Sequence, residues 1–253
     1  MKRLLPVLFL ACGLGLRADP MSILVFSRTT GFRHDSIPAG VACLKAMAGR
    51  NGWNVTCTED PSVFSDRALA GFDVAVWLLT SGDVLDPAQQ EAFARFIRSG
   101  GGFVGVHSAS VTETDWPWFV GLVGAKFIGH PPTQRGGLVV EDRDHPAIPA
   151  TMPDRWEREE EWYSFDRNPR GTVRVLATVD EASYDVDDNP WFPGIKPRMG
   201  DHPIVWCREY DGGRAFQTAL GHTIESYSDP IFIAHLEGAI VWAAGSKAKE
   251  KNR

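Results

Sequence analysis

The sequence is poor in cysteine, has no excess of positive charge and has no long apolar run after its first residues. Beyond those residues its cysteines are Cys43, Cys57 and Cys207, an odd number with no metal-type spacing, so a disulfide framework is not expected. The formal net charge of -6 gives no basic surface for nucleic acid or an anionic membrane. No later segment is apolar over the roughly 20 residues that a transmembrane helix needs.

The composition is otherwise that of a soluble globular protein, with 43% hydrophobic and 23% charged residues in a chain of 253. Nine residues are tryptophan, and several of them stand beside polar residues in loop-like stretches. Most of these rings are expected to pack in the core. The remainder are rigid, amphipathic groups suited to stacking on the faces of sugars.

The first twenty residues have the pattern of a targeting segment. Lys2 and Arg3 form a charged start, and Leu4–Leu16 is an apolar run too short to be a stable membrane anchor. We therefore expect export to the periplasm or the exterior. Two alternatives stay open: Cys12 follows a weak lipobox and would anchor a lipoprotein, or Met21 is the true start.

Three regions are thus predicted along the chain, and no linker divides the central one. Residues 1–20 form the leader, residues 21–246 form one domain, and residues 247–253 form a charged tail.

Strands and helices alternate through the first half of the domain. Short apolar runs predict buried strands, and Asp86, with Pro87 after it and Gln89 in bonding range, predicts the start of a helix that ends at Ser99–Gly102. This alternation indicates a parallel sheet with right-handed crossovers, in which ligands bind at the carboxyl ends of the strands. The four predicted strands are Ser22–Ser27, Trp53–Thr58, Phe72–Leu79 and Phe103–Val106.

The second half is less regular, with a long Pro- and Gly-rich surface loop over Asn189–Gly200 and a closing helix over Pro230–Ala244. The fold class predicted from both halves is a single-domain, three-layer α/β sandwich with a mostly parallel sheet and flavodoxin-like topology. The strands predicted in this half are Gly137–Glu141, Val173–Val179, Ile204–Tyr210 and Arg214–Ala219.

His107 is the most informative residue. It follows a glycine-rich turn and an apolar strand, which is the arrangement of a nucleophile elbow that holds one side chain out over the sheet. In class I glutamine amidotransferases, which this stretch resembles, the outward residue is a cysteine. An imidazole there suits a metal ligand or a general base, so glutamine amidotransfer is not expected.

An ordered set of motifs from about Ile23 to Ala244 resembles the ThuA-like family, named for trehalose utilisation. The resemblance implies a class I amidotransferase-like fold and a role in carbohydrate metabolism, in particular the handling of 3-keto disaccharides. Two departures are Ser108, where relatives are expected to have alanine, and Glu160, where they are expected to have aspartate. The matching segments are Thr29–Ile37, Gly102–His107, Gly129–Pro131, Asp142–Pro146, Glu161–Tyr163 and Leu220–Thr223.

Four histidines are candidate metal ligands: His34, His107, His130 and His222. Because two of them follow strands of the predicted parallel sheet, we expect loops to bring all four to one edge, with Glu161 as the accompanying carboxylate. Such a set suits a divalent transition metal such as zinc. No nucleotide cofactor is expected. His145, His202 and His235 are interpreted as structural.

Glu161 and Tyr163 join His107 as candidate catalytic residues. The aromatic neighbours of Glu161 are expected to desolvate its carboxyl and raise its pKa, as proton transfer requires. Glu159 is interpreted as solvated. The candidates for binding a sugar are Arg28, Arg33, Asp83, Trp116 and Trp162.

The leading hypothesis is a metal-assisted hydrolase, lyase or isomerase acting on a keto-sugar or glycoside by His/Glu acid–base chemistry. A second is a non-catalytic carbohydrate-binding module that serves a partner sugar dehydrogenase. A third is a hydrolase that uses Ser108 with His107. A glutaminase is the least favoured hypothesis, because no cysteine lies at the elbow.

Overall fold

A computed structural model describes residues 19–245. The leader (with Cys12) and the charged tail that the sequence predicts therefore lie almost wholly outside the described residues. Within residues 19–245, no helix is both long and apolar enough to span a membrane.

Nine strands form one sheet, and two more form a small separate sheet. The nine are arranged in the order β2-β1-β3-β4-β11-β10-β9-β6-β7, and β5 pairs with β8. In chain order the strands are β1 (Ser22–Phe26), β2 (Asn54–Thr58), β3 (Val74–Leu78), β4 (Gly102–Val106), β5 (Phe127–Gly129), β6 (Gln134–Val140), β7 (Arg155–Glu160), β8 (Ser164–Phe165), β9 (Arg174–Asp180), β10 (Pro203–Tyr210) and β11 (Gly213–Thr218).

The large sheet has a parallel half and an antiparallel half. β2, β1, β3, β4 and β11 are parallel neighbours. From β11 onward every pairing is antiparallel, through β10, β9 and β6 to β7. The sheet is therefore mixed, and the carboxyl ends of β1, β3, β4 and β11 share one edge.

Helices cover both faces of the parallel half. The capping box predicted at Asp86 is present: its side chain accepts from the Gln89 N–H, and the Gln89 side chain accepts from the Asp86 N–H. The helices are α1 (Ile37–Asn51), α2 (Asp66–Leu69), α3 (Pro87–Arg98), α4 (Pro117–Val123) and α5 (Pro230–Ala244).

The buried side chains of β3 show the three layers directly. Val74, Val76 and Leu78 belong to the core that contains the α1 and α5 residues, whereas Ala75 and Trp77 belong to the core beneath α3 and α4. Alternate residues of a strand point to opposite faces, so the sheet is the middle layer between two sets of helices. The predicted α/β sandwich is confirmed.

Candidate functional site

His107 lies directly after β4, at the tight turn that the sequence predicts. Its backbone has a φ of 52°, in the left-handed region that residues other than glycine seldom adopt. Its side chain is fully buried, and Nδ1 lies 2.7 Å from the Ala219 carbonyl oxygen. A carbonyl only accepts, so Nδ1 carries the proton and Nε2 presents its lone pair in the neutral ring.

His34 and His222 lie beside His107. The ring centroids are 4.8 Å apart for His34 and His107, and 5.3 Å apart for His107 and His222. His222 comes from the segment after β11, the parallel neighbour of β4. The parallel sheet thus brings three of the predicted histidines to one edge.

The carboxylate of Glu161 lies among these rings. Its Oε2 is 3.3 Å from His107 Nε2, 3.8 Å from His34 Nε2 and 3.0 Å from His222 Nδ1. The 3.0 Å contact of His222 is an ion-pair distance without hydrogen-bond geometry, so its buried Nδ1 has no hydrogen-bond partner among the described residues. One donor atom from each residue lies within 4.8 Å of the others. We call these four residues, His34, His107, Glu161 and His222, the histidine–glutamate cluster.

The expectation that the pKa of Glu161 is raised is wrong. Burial does raise the pKa of this carboxyl, but interactions with His107, His222 and His34 outweigh that effect and hold the pKa well below its usual range. The sequence showed the aromatic neighbours, whereas the three imidazoles come from distant segments. Glu161 is therefore an anion and not a proton donor at neutral pH.

His130 stands beside the cluster and outside it. Its Nδ1 lies 2.9 Å from the Pro131 carbonyl oxygen and 3.6 Å from Glu161 Oε1. Burial lowers the pKa of this imidazole. Its ring stacks on Tyr163, with centroids 5.5 Å apart. The structure thus brings the fourth predicted histidine to the same place with a different set of contacts.

Tyr163 forms the wall between these two groups. Its ring centroid is 4.2 Å from that of His107 and 4.3 Å from that of Phe127. Burial raises the pKa of its phenol well above the ordinary value, so the hydroxyl stays protonated.

Glu160, a residue the sequence did not single out for the site, anchors the His222 segment. Its fully buried carboxylate accepts hydrogen bonds from the backbone N–H groups of Gly221 (2.9 Å) and His222 (3.1 Å). It also accepts from Arg158 Nη2 at 2.6 Å. The only sequence signal was its place beside Glu161, and the run of glutamates obscured it.

A cavity of about 590 Å³ opens onto the cluster, large enough for a drug-sized ligand. His34, Glu161 and His222 line it, and His107 lies buried beneath them. Four aromatic side chains, which we call the aromatic rim, surround its outer part: Phe32, Phe127, Trp191 and Phe192.

The sequence missed the aromatic rim. Trp191 and Phe192 lie in the Pro- and Gly-rich stretch that was predicted only as a surface loop. Phe32 lies inside a family motif, two residues before His34. Two adjacent aromatic residues, Trp191 and Phe192, in a Pro- and Gly-rich loop were the available signal.

The five predicted sugar-binding residues do not line this cavity. Arg33 pairs with Glu59 at 2.7 Å, and Asp83 is exposed elsewhere. Arg28 is half-buried outside the lining.

The two predicted tryptophans are occupied in packing. Trp162 is 1% exposed, and its indole N–H donates to the Gln134 carbonyl. Trp116 stacks on Trp118 and Phe119 against the core beneath α4.

The three histidines interpreted as structural are buried away from the cluster. His202 Nδ1 lies 2.9 Å from Glu181 Oε1, and Nε2 lies 2.8 Å from the Tyr163 carbonyl oxygen. His235 Nδ1 contacts the Ala147 carbonyl, and His145 Nδ1 accepts from the Ala147 N–H.

Ser108 does not pair with His107. Its hydroxyl is buried and lies 3.4 Å from His34 Nδ1. The contact that a Ser108–His107 hydrolase needs is therefore not formed among the described residues. Cys43, Cys57 and Cys207 are free, and none lines the cavity.

The cluster has the chemistry of a transition-metal site. Three imidazoles and one carboxylate are the donors that zinc-type ions prefer, and His107 is fixed in the required tautomer by the Ala219 carbonyl. The lone pair of His107 Nε2 faces a carboxylate oxygen, which is unfavourable unless a cation or proton lies between them. Within residues 19–245, buried His222 Nδ1 likewise lacks a hydrogen-bond partner.

A family model described as "ThuA: Trehalose utilisation" matches residues 22–243. No curated protein sequence matches the chain significantly.

Solved structures show the same fold. A ThuA-like protein from Bacteroides uniformis is 24% identical, with a TM-score of 0.73 over 91% of this chain and 94% of its own. A ThuA-like protein from Parabacteroides merdae is 20% identical, with a TM-score of 0.67 over 89% and 90%. A glutamine amidotransferase from Thermotoga maritima is 12% identical, with a TM-score of 0.50 over 90% and 100%.

Proposed function

The chain belongs to the ThuA family, and on that premise we propose that it is a metal-assisted enzyme that cleaves 3-keto glycosides. The observation that carries the proposal is the convergence of His34, His107, His222 and Glu161 beneath a cavity large enough for a glycoside. The family's description, trehalose utilisation, supports a carbohydrate as the substrate.

The histidine–glutamate cluster would hold the metal. A zinc-type ion bound there supplies Lewis acidity toward a substrate carbonyl. Glu161 contributes the negative charge of the site, since its low pKa keeps it ionised. Residues that hold a metal in this way do not also serve as the base, so the proton passes to another group.

His130 is the group placed to move that proton. Its Nδ1 faces the Pro131 carbonyl, which leaves Nε2 as the basic nitrogen of the neutral ring. It lines the same cavity as His34, Glu161 and His222.

The reaction we propose is an elimination that balances without an oxidant or reductant. The keto group acidifies the C–H bond between it and the anomeric carbon, and His130 takes that proton. A double bond forms to the anomeric carbon as the glycosidic C–O bond breaks. The electron pair leaves with the aglycone oxygen, and protonated His130 gives its proton to that oxygen. Addition of water to the double bond would complete a net hydrolysis.

Two histidine variants separate metal binding from proton transfer. His107→Ala is expected to lose both bound metal and turnover of a 3-keto glycoside. His130→Ala is expected to keep the metal and lose turnover by about 100-fold or more. Metal content by elemental analysis and product formation by mass spectrometry measure the two effects. Arg33→Ala, outside the cavity, serves as the control.

The opposite results are equally clear. Full activity in His107→Ala would refute the proposal. Sugar binding with neither metal nor turnover in the unsubstituted protein would favour the non-catalytic module that serves a sugar dehydrogenase.

A further inference from the structure

The cavity has two chemically different parts. Its inner part contains the ionisable groups of His34, Glu161 and His222, with His130 beside them. Its outer part is the aromatic rim. The two parts are continuous, because Phe32 packs edge-on against His34 at 4.8 Å and Trp191 lies 5.5 Å from His130. A ligand held over the cluster therefore extends into the rim.

The rim exposes more apolar surface than folding alone explains. Phe32 is 71% exposed and Trp191 is 57% exposed, and both face the same opening. Large apolar groups gathered at a cavity mouth mark a binding surface, whereas scattered ones do not.

The rim is unsuited to a second sugar. Among the described residues that line the cavity, there is no Arg, Lys, Asp, Asn or Gln. The Trp191 indole N–H is the side-chain hydrogen-bonding group of the rim itself. Polar side chains at defined positions are what fix the orientation of a sugar, so a second hexose with several hydroxyls would gain little from this rim.

The ring orientations also favour an aromatic occupant. Phe127 and Phe192 stand at 81° to each other, and His130 lies at 63° to Phe192 and 51° to Trp191. Stacking on a sugar uses one flat platform, whereas these planes form a box. An aromatic ring can meet such walls edge-to-face.

We propose that the aromatic rim is the aglycone subsite and that the substrates are 3-keto glycosides with an aromatic aglycone, not disaccharides. The inference rests on the proposed function: the keto-sugar ring lies over the histidine–glutamate cluster, and the aglycone ring occupies the box. Trp191 is then the residue that determines specificity.

Three substrates that share one sugar test this inference. They are the methyl and benzyl 3-keto-α-glucosides and a glucosyl substrate joined through O6 of its glucose aglycone, so that every leaving group is a simple alcohol. The kcat/KM for the benzyl substrate is expected to exceed that for the methyl substrate by about tenfold or more, because a phenyl ring is buried. The glucosyl substrate is expected to gain nothing over methyl.

Trp191→Ala is expected to bring the ratio of kcat/KM for the benzyl substrate to that for the methyl substrate down to about one, whatever it does to the methyl value itself. Ile195→Ala is the matched control, since it lies in the same segment outside the cavity lining. Equal kcat/KM for benzyl and methyl, a preference for the glucosyl substrate, or an equal loss on all three substrates in Trp191→Ala would overturn the inference.

A binding measurement keeps this inference separate from the proposed function. Benzyl and methyl α-glucosides, both unoxidised, are titrated calorimetrically into the unsubstituted protein and Trp191→Ala. Tighter benzyl binding that Trp191→Ala removes supports the subsite even if no keto glycoside is cleaved. Equal binding of the two ligands rejects the subsite even if cleavage occurs.

Discussion

Three consecutive glutamates have completely different surroundings in this protein. Glu159 is exposed, Glu160 is fully buried on Arg158 and two backbone N–H groups, and Glu161 faces three imidazoles. The sequence interpretation of Glu159 as solvated agrees with its exposure. The role of Glu160 was not predictable, because alternate strand residues face opposite sides and the buried side of β7 is itself partly charged, with Arg158 and Glu160.

The pair Glu160→Ala and Glu159→Ala tests this difference. Glu160→Ala leaves the buried Arg158 without its carboxylate, so the free energy of unfolding is expected to fall by about 3–5 kcal/mol. Glu159→Ala is expected to change it by less than about 0.5 kcal/mol. Urea denaturation of both variants makes the comparison. Similar losses in the two would show that Glu160 has no anchoring role.

The candidate site was partly predictable at this scale. His34 and His107 were identified because motifs after parallel strands meet at one sheet edge, and a loop was expected to bring His222 to the same edge. The tautomer of His107 and the low pKa of Glu161 could not be predicted, since both depend on groups distant in the sequence, such as the Ala219 carbonyl.

Two helical glycines show how differently elements tolerate a methyl group. A Cβ on Gly238 in α5 would collide with the Pro146 backbone, whereas a Cβ on Gly49 in α1 would meet nothing within 4 Å. The close approach of α5 to the Pro146 segment requires glycine. The sequence predicted α5 but gave no sign of this contact, because helical periodicity does not reveal the partner of a helix.

Alanine at each position is the corresponding experiment. Gly238→Ala is expected to lower the free energy of unfolding by about 1–3 kcal/mol, since a rigid backbone must move. Gly49→Ala is expected to raise it by about 0.5–1 kcal/mol, because alanine favours the helix. Thermal unfolding followed by circular dichroism ranks the three proteins. A destabilised Gly49→Ala would contradict the argument.

At the scale of the whole molecule, two buried histidines make stability depend on pH. Burial lowers the pKa of His235 to about 4, with Arg158 and His145 contributing. Burial likewise lowers the pKa of His145 to about 4, with Arg174 contributing and Asp142 opposing. In the unfolded chain these histidines have their ordinary pKa of about 6.5. As the pH falls, they therefore bind protons in the unfolded chain at a higher pH than in the folded protein.

The free energy of unfolding is therefore expected to fall as the pH decreases from about 6.5 to 4.5. Each unit of pKa difference corresponds to about 1.4 kcal/mol, so the loss should reach a few kcal/mol. Urea denaturation across that range measures it. His235→Gln should be less stable at pH 7.5 but show a shallower decline. An unchanged slope in that variant would exclude His235 as a source.

The strand order and the curvature of the large sheet were the least predictable properties of the fold. Short apolar runs identified most of the strands, yet such runs carry no information about pairing order. β7 lies four strands from β11, roughly 19 Å away in a flat sheet. Nevertheless Glu160 at the end of β7 accepts a hydrogen bond from Gly221, just after β11. The antiparallel half must therefore curl back over the sheet edge.

Because of this curl, the four side chains of the histidine–glutamate cluster come together only when both halves of the sheet are in place. The parallel half contributes the three imidazoles and the antiparallel half contributes the carboxylate, so neither half alone carries a full coordination sphere. An ion bound there would connect the parallel half of the sheet to the antiparallel half. A partly folded chain would therefore bind the ion more weakly than the folded protein does, and ion binding would stabilise the folded state.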